Sequence, residues 1–181
     1  IIKPGEEIDK LEAKFQISFQ FDILNNLFES NADLYLAYTQ QAFWQVYNTD
    51  ASSPFRETNY EPELGIKFSP DYEILGFNTS QVRLGLVHQS NGRAEPLSRS
   101  WNRLFALFVF DKGNFVTTFR PWIRLHESAD DDNNPDIDDF LGHFELSGFY
   151  KGERSNFGIM LRNNLKSNYN RGAIQLAWSP P

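Results

Sequence analysis

A histidine and a serine stand two positions apart near the middle of the chain, at His88 and Ser90. The residues before them place Val82, Leu84 and Leu86 on the same parity. Because side chains two apart in a β-strand share a face, both reactive groups are expected on the apolar side of a strand. A serine hydroxyl becomes a nucleophile when a neighbouring imidazole removes its proton. The pair therefore predicts a nucleophilic centre on an apolar surface, where a substrate would be met in lipid.

A third polar side chain is expected on the same face. Asn102 opens the next strand-like segment and shares its parity with Leu104, Ala106 and Phe108. In a hairpin, directly opposite residues have Cβ atoms about 5 Å apart, which would bring Asn102 beside His88. The amide oxygen can then accept a hydrogen bond from the imidazole and orient the ring, as the third member of a catalytic triad does. An asparagine suits an apolar surrounding, because burying an isolated carboxylate is costly.

Nine segments of the chain have the alternating pattern of β-strands. Most extend over about ten or more residues, longer than the five or six that are usual in soluble sheets and close to the length of a tilted membrane strand. Tight turns at 111–114 and 151–153 contrast with long polar loops at 48–59 and 127–139, which is typical of an outer-membrane barrel. The predicted strands are 12–24, 33–48, 60–68, 80–91, 99–110, 115–125, 140–150, 154–165 and 171–179.

Composition narrows the class of protein. The mean hydropathy is -0.50, and the longest strongly apolar run, 104–110, is far shorter than the roughly 20 residues that a transmembrane helix needs. The net charge of -7 argues against a nucleic-acid partner, because binding phosphate requires clustered Lys and Arg. The absence of cysteine fits an exported bacterial protein without disulfides. No secretion signal is visible, so we expect a chain that is processed, trimmed or never exported.

Charged residues occupy the parity opposite to the apolar stripe. They are predicted to form a network of ion pairs inside the barrel, where Trp122 is also expected to pack. His126 and His143 are expected to be solvated or interior polar residues and not ligands. The charged residues of this predicted network are Arg83, Arg120, Arg124, Glu61, Glu63, Lys67 and Glu145.

Two alternatives remain open from these patterns. A soluble lipid-carrying barrel also alternates, but its apolar residues would point inward around a cavity. A non-enzymatic outer-membrane barrel, such as a small porin or a structural protein, would carry His88 and Ser90 only incidentally. The odd strand count does not close a bacterial barrel, since those have even numbers of strands.

The sequence around the predicted hairpin resembles the active-site hairpin of the bacterial outer membrane phospholipase A family. The motif covers 88–93, Pro96 and 98–104, and a second block at 52–62 is similar to a loop of that family. The similarity continues through nearly the whole chain, so residues 1–181 are expected to form a single β-barrel domain that is incomplete at both ends. Further matching residues lie at 38–40, 44–45, 112–114, 121–122 and 134–137.

The resemblance implies an all-β fold, an antiparallel transmembrane β-barrel of twelve strands from which this chain lacks terminal strands. It also implies a calcium-dependent phospholipase of the outer membrane that hydrolyses acyl esters of phospholipids and lysophospholipids and is activated by forming a homodimer. Carried over by matching position, Ser90 is the nucleophile, His88 the base and Asn102 its orienter. Gly92 matches the residue that offers a backbone amide to the oxyanion.

The resemblance further implies ligands for Ca²⁺. At the active dimer the matching ligands are Ser98, the backbone of Arg93 and the partner's Ser52, while Gln40 matches a polar residue at the subunit contact. Glu95 stands where the family has an aspartate at a second calcium position, which is a departure from the pattern. The other acidic ligand lies in the loop 130–134, which is longer here, so no single residue of this loop is assigned.

Overall fold

An antiparallel sheet of nine long strands makes up most of the molecule. The computed structural model describes residues 7–70, 72–128 and 132–181. Each long strand pairs with the next one along the chain, and a two-residue strand pairs beside this path. Within the described residues the elements are β1 (Ala13–Leu24), β2 (Ala32–Trp44), β3 (Phe55–Phe68), β4 (Glu73–Ile74), β5 (Phe77–Ser90), β6 (Ser100–Lys112), β7 (Phe115–Leu125), the helix α1 (Ile137–Leu141), β8 (Phe144–Lys151), β9 (Asn156–Asn163) and β10 (Gly172–Ser179).

The all-β class and the nine long strands confirm the predictions, but several strand boundaries differ. Strand β3 begins at Phe55, so the predicted loop 48–59 is too long. Residues of its second half pair with β2, with Asn59 opposite Gln41 and Glu57 opposite Phe43. The last three strands have eight residues each, fewer than predicted. Polarity alone does not reveal these limits, because paired strand ends that reach the water also carry polar side chains.

The helix α1 replaces the start of the predicted strand 140–150, so Phe140 lies in a helix. Ile137 and Leu141 stand one helical turn apart and therefore share a face. This face packs against the buried cluster of Val87, Trp101, Phe105 and Trp122. The Trp122 indole also donates a hydrogen bond to the Gly142 carbonyl at 3.0 Å. These tertiary contacts favour a helix where alternation alone suggested a strand.

The apolar parity of the strands points outward. Leu84 and Leu86 on β5 are 51% and 50% exposed, whereas Val87 on the opposite parity is 2% exposed. Leu104 and Ile123 continue the outward stripe on β6 and β7. This orientation is opposite to that of a soluble lipid-carrying barrel, whose apolar residues would face an internal cavity. None of the helices in residues 7–70, 72–128 and 132–181 is long and apolar enough to cross a membrane.

The sheet curls into an open half-barrel with a polar interior. Its first and last strands approach each other, since Lys14 on β1 donates to Gln175 on β10 at 3.0 Å. Arg120 on β7 reaches across to Glu63 on β3 at 2.7 Å. Among the described residues, five of the seven charged residues predicted for the interior network form ion pairs, and Trp122 is buried beside them. Further ion pairs join Glu61 with Arg103, Arg124 with Asp132, and Lys67 with Asp22. Arg83 and Glu145 instead hydrogen-bond to the neutral side chains of Gln20 and Ser147.

Candidate active site

Strands β5 and β6 set His88 directly opposite Asn102. The imidazole Nδ1 and the amide Oδ1 lie 2.8 Å apart, which is hydrogen-bonding distance. Because a carbonyl oxygen only accepts, Nδ1 is the donor in this pair, and in the neutral ring the lone pair then lies on Nε2. The ring is thus held in the tautomer that a general base needs.

Ser90 ends β5 on the same outward face, two residues beyond His88. It lies opposite Ser100 of β6 and Tyr60 of β3 and is half-buried between them. No hydrogen bond joins Ser90 to the imidazole among the residues that the structure describes. In unliganded active sites such bonds are often long and tighten when the substrate binds, so the shared face is the informative feature.

His88 and Asn102 have mainly apolar neighbours on the outer face of the sheet. His88 and Asn102 border a shallow depression whose other walls include Leu36, Leu64 and Leu86. Leu125 closes it on the side of β7. An acyl chain would find hydrocarbon contacts here, whereas water would find few hydrogen-bonding partners.

A carboxylate lies behind Asn102. The amide nitrogen Nδ2 donates to Glu127 Oε1 at 2.6 Å, from the segment that follows β7. Since the two amide atoms contact different partners, His88, Asn102 and Glu127 form a continuous chain of hydrogen bonds. Nothing in the local sequence links Glu127 to the hairpin, because the contact spans 25 residues.

The loop 91–99, which joins β5 to β6, is organised by the buried side chain of Asn91. Its Oδ1 accepts from the backbone amides of Arg93 at 3.2 Å and Arg99 at 3.0 Å, and its Nδ2 donates to the Leu97 carbonyl at 2.9 Å. The Asn-Gly pair of residues 91 and 92 is a known turn signal, but the predicted site residues did not include Asn91. One asparagine therefore fixes the loop that carries Gly92, Arg93, Glu95 and Ser98.

Gly92 directly follows this anchor in a left-handed conformation with φ of 65°. A side chain here would be strained, and its Cβ would lie 2.8 Å from Cε2 of Tyr60. Glycine therefore lets the backbone pass close to the Tyr60 ring. The residue is exposed and lies two positions from Ser90.

Ser98 and Glu95 of the same loop face the side chain of Asn133. The Asn133 amide nitrogen donates to Ser98 Oγ at 2.8 Å and to Glu95 Oε1 at 3.3 Å. Its Oδ1 accepts from the Ser100 backbone amide at 2.9 Å, so the loop after β7 is tied to the hairpin. From the sequence, Asn133 was distinguished only as a member of the loop 130–134. Residues 130 and 131 of that loop lie outside the described residues.

The remaining predicted ligand and contact residues are Ser52, Arg93 and Gln40. Ser52 is exposed in the loop between β2 and β3. The Arg93 guanidinium donates to the Arg56 carbonyl at 2.5 Å and lies 3.5 Å from Glu57. Gln40 lies on β2 and accepts from the Tyr38 hydroxyl at 3.3 Å. Of the predicted ligands, Ser98 and Glu95 thus share a hydrogen-bond partner in Asn133.

The donor chemistry of the loop fits calcium. Among the described residues, no three His, Cys, Asp or Glu side chains are grouped so that they would bind a metal ion. Ca²⁺ also takes hydroxyl and carbonyl oxygens, which Ser98 and the backbone of the loop supply, together with the Glu95 carboxylate. The loop therefore suits a cation that binds oxygen ligands and needs few carboxylates from the protein.

Electrostatic contacts hold the base of the loop to the rest of the barrel. Arg56, at the start of β3, pairs with Glu12 at 2.6 Å. The hydrogen bond from Arg56, with a second from Gln45, holds the pKa of the Glu12 carboxyl below its usual value against a smaller opposing effect of burial. Because Arg93 contacts the Arg56 carbonyl, the segment before β1 is linked to the active-site loop.

Comparisons with known proteins agree with this geometry. A family model described as phospholipase A1 matches residues 3–181. Phospholipase A1 of Salmonella typhimurium is 41% identical over 150 residues, which cover 82% of this chain and 51% of that protein. Putative phospholipase A1 of Neisseria meningitidis is 38% identical over 176 residues, covering 95% and 46% of the two chains. The chain spans about half the length of the curated relatives that it matches.

Two solved structures are similar to the half-barrel as a whole. Outer membrane phospholipase A from Escherichia coli matches with a TM-score of 0.86 and 37% identity, covering 94% of this chain and 69% of that one. A dimer of the Salmonella typhi outer membrane phospholipase with bound calcium matches with the same TM-score and 36% identity, covering 94% and 65%.

Proposed function

Because the chain belongs to the phospholipase A1 family, we propose that it carries the active site of a phospholipase that hydrolyses acyl esters of phospholipids and lysophospholipids in the outer membrane of Gram-negative bacteria. The observation that carries this proposal is the 2.8 Å contact between His88 and Asn102 on the outward apolar face that also holds Ser90. Neighbouring strands pair continuously from β1 to β10, so we propose one barrel domain that includes all of them.

In the proposed mechanism, the ester reaches Ser90 from the lipid side of the wall. His88 Nε2 removes the proton of the Ser90 hydroxyl, whose oxygen attacks the ester carbonyl carbon and forms a tetrahedral intermediate. Asn102 keeps the imidazole in the correct tautomer and does not itself take a proton. The Gly92 N–H donates to the negatively charged oxygen, since an oxyanion needs pre-arranged donors. His88 then gives its proton to the leaving alcohol, and water releases the fatty acid from Ser90.

Calcium at the dimer would be held by Ser98, the backbone of Arg93 and the partner's Ser52, and Glu95 would belong to a second calcium position. When bound, Ca²⁺ supplies positive charge that stabilises the developing oxyanion. The Salmonella typhi outer membrane phospholipase is a dimer with bound calcium, which supports a homodimer as the active form. Gln40 on the outer face of β2 is the proposed polar residue of the subunit contact. A monomer would lack the partner's ligand, so association would control activity.

The decisive test is hydrolysis of phospholipid in detergent micelles by the full-length protein that carries this chain. We expect Ser90→Ala to lower kcat by a factor on the order of 10⁴ or more, because the nucleophile is lost. Ser80→Ala is the matched control, since Ser80 lies on the same strand at its other end. A calcium chelator should abolish the activity of the unaltered protein.

A sulfonyl fluoride should label Ser90 covalently in the unaltered protein when calcium is present. If the Ser90→Ala variant keeps full activity, the proposed nucleophile is wrong. Absence of both hydrolysis and labelling would favour a non-enzymatic barrel.

A further inference from the structure

The contact between Glu127 and Asn102 adds a fourth group to the proposed triad. Glu127 follows β7 and is half-buried, and its Oε1 accepts from Asn102 Nδ2 at 2.6 Å. We infer that Glu127 is a positioning residue that fixes the orientation of the Asn102 amide and, through it, the tautomer of His88. The inference rests on the proposed function, because it concerns the same site.

The side chain of an asparagine can face a neighbour in two ways. A primary amide presents a carbonyl oxygen on one side and an NH₂ group on the other, and the two groups have nearly the same shape. If the Asn102 amide turned over, its NH₂ would face His88 Nδ1. That nitrogen would then have to accept, and the ring proton would move to Nε2, where the base needs a lone pair. Asparagine therefore specifies the tautomer less strictly than aspartate does.

Glu127 removes this ambiguity. An ionised carboxylate only accepts hydrogen bonds, so it pairs with the NH₂ side of Asn102 and repels the carbonyl side. The amide oxygen is thereby directed at His88, as the 2.8 Å contact requires. The bond to the carboxylate is charge-assisted and short, which makes it one of the stronger hydrogen bonds of proteins.

Other charged groups near His88 are directed elsewhere. Glu63 and Arg103 border the same depression, but Glu63 pairs with Arg120 at 2.7 Å and Arg103 with Glu61 at 2.9 Å, both inside the barrel. Glu127 is the carboxylate that contacts the amide on the outer wall. Because Glu127 follows β7, the β5–β6 hairpin alone does not contain all of the proposed groups.

The first experiment measures kcat and KM of Glu127→Ala in the full-length protein, in micelles with calcium. We expect kcat to fall about tenfold to a hundredfold with KM unchanged, less than the roughly 10⁴-fold loss known for a defective orienting group in a triad. Glu153→Ala is the matched control, because Glu153 is an exposed glutamate in the turn between β8 and β9. If Glu127→Ala does not fold, Glu127→Gln takes its place in the experiment. Glutamine has the same shape as glutamate, but its side chain can donate a hydrogen bond as well as accept one.

A double-mutant cycle separates positioning from a general effect on the fold. In a background of Asn102→Ala there is no amide to orient, so Glu127→Ala should lower kcat no further. A second, independent loss in that background would show that Glu127 acts through the fold and would overturn the inference. An unchanged kcat for Glu127→Ala alone would overturn it as well.

The histidine tautomer gives a direct readout that does not depend on activity. In protein labelled with ¹⁵N-histidine, the His88 resonances are identified by their loss in His88→Gln. We expect Nδ1–H in the unaltered protein and a mixture of tautomers in Glu127→Ala. If the tautomer stays unchanged, the inference is wrong. If Ser90→Ala remains active, the proposed function fails, whatever the state of Glu127.

Discussion

At the scale of single residues, the candidate site depends on side chains that fix backbone and hydrogen-bond directions. Asn91 ties three backbone groups of the 91–99 loop to one amide. Gly92 next to it takes the left-handed conformation that places its backbone against Tyr60. The proposed oxyanion donor is thus held by its own φ angle and by a neighbouring strand.

Gly92→Ala tests this arrangement. We expect a loss of hydrolysis and a decrease of about 1–2 kcal/mol or more in the free energy of unfolding, because alanine is strained at positive φ and its Cβ meets Tyr60. Gly113→Ala is the control, since Gly113 has φ of 58° in the turn after β6 and a Cβ there would have no neighbouring atom within 4 Å. This variant should lose stability through strain but keep its activity. Equal activity of the two variants would argue against a special role for Gly92.

At the scale of elements, the β5–β6 hairpin is held from the inside of the barrel. Arg103 on β6 stacks on Trp101 with 4.1 Å between the guanidinium carbon and the ring centre, and it pairs with Glu61 on β3 at 2.9 Å. The Trp101 indole donates to Gln89 on β5 at 2.8 Å. These inward contacts alternate with the outward His88 and Asn102, so packing inside the barrel fixes the register that brings these two side chains together.

Glu61→Ala should be strongly destabilising. It leaves the Arg103 charge buried without its partner, which costs about 3–5 kcal/mol when a buried ion pair is broken on one side. Asp22→Ala removes the partner of Lys67 at the edge of the sheet, where Asp22 is more exposed and Lys67 still has Asp33 at 4.0 Å. That control should cost less than about 1 kcal/mol. Urea unfolding followed by tryptophan fluorescence measures both, and similar losses would contradict the prediction.

At the scale of the whole molecule, a chain of contacts joins the segment before β1 to the active-site loop. Glu12 pairs with Arg56, and the Arg56 carbonyl accepts from Arg93. The curled sheet makes this possible, because it brings the start of β3 close to both the loop 91–99 and the residues before β1. Weakening the ion pair between Glu12 and Arg56 should therefore also affect the loop 91–99.

Acid should weaken this link in a defined direction. The pKa of Glu12 is lowered in the folded state, so the pair stabilises the fold above the usual carboxyl pKa, and this contribution is lost as the pH falls through the lowered value. We expect the unaltered protein to be more stable than Glu12→Gln at neutral pH, and the difference to shrink as the pH falls below the usual carboxyl pKa. Unfolding free energies measured across this range check it. A difference that does not change with pH would contradict the assignment.

The sequence by itself determined the class of fold and the face on which the reactive residues lie. Alternation with a period of two is a local property, so it predicted nine strands and the outward position of His88 and Ser90 without knowledge of any contact. The motif of residues 88–104 likewise contains Asn102, because a hairpin fixes which residues are opposite each other once its register is known.

Only the tertiary structure decided which distant residues complete the site. Glu127, Asn133 and the helix α1 come from segments after β7 whose sequences are simply polar or weakly amphipathic. Their partners on β5 and β6 are about 25 or more residues away, and local pattern carries no information on such contacts. The curl of the sheet and the packing of its interior bring them together, and this is the physical reason why the orienting carboxylate became visible only in three dimensions.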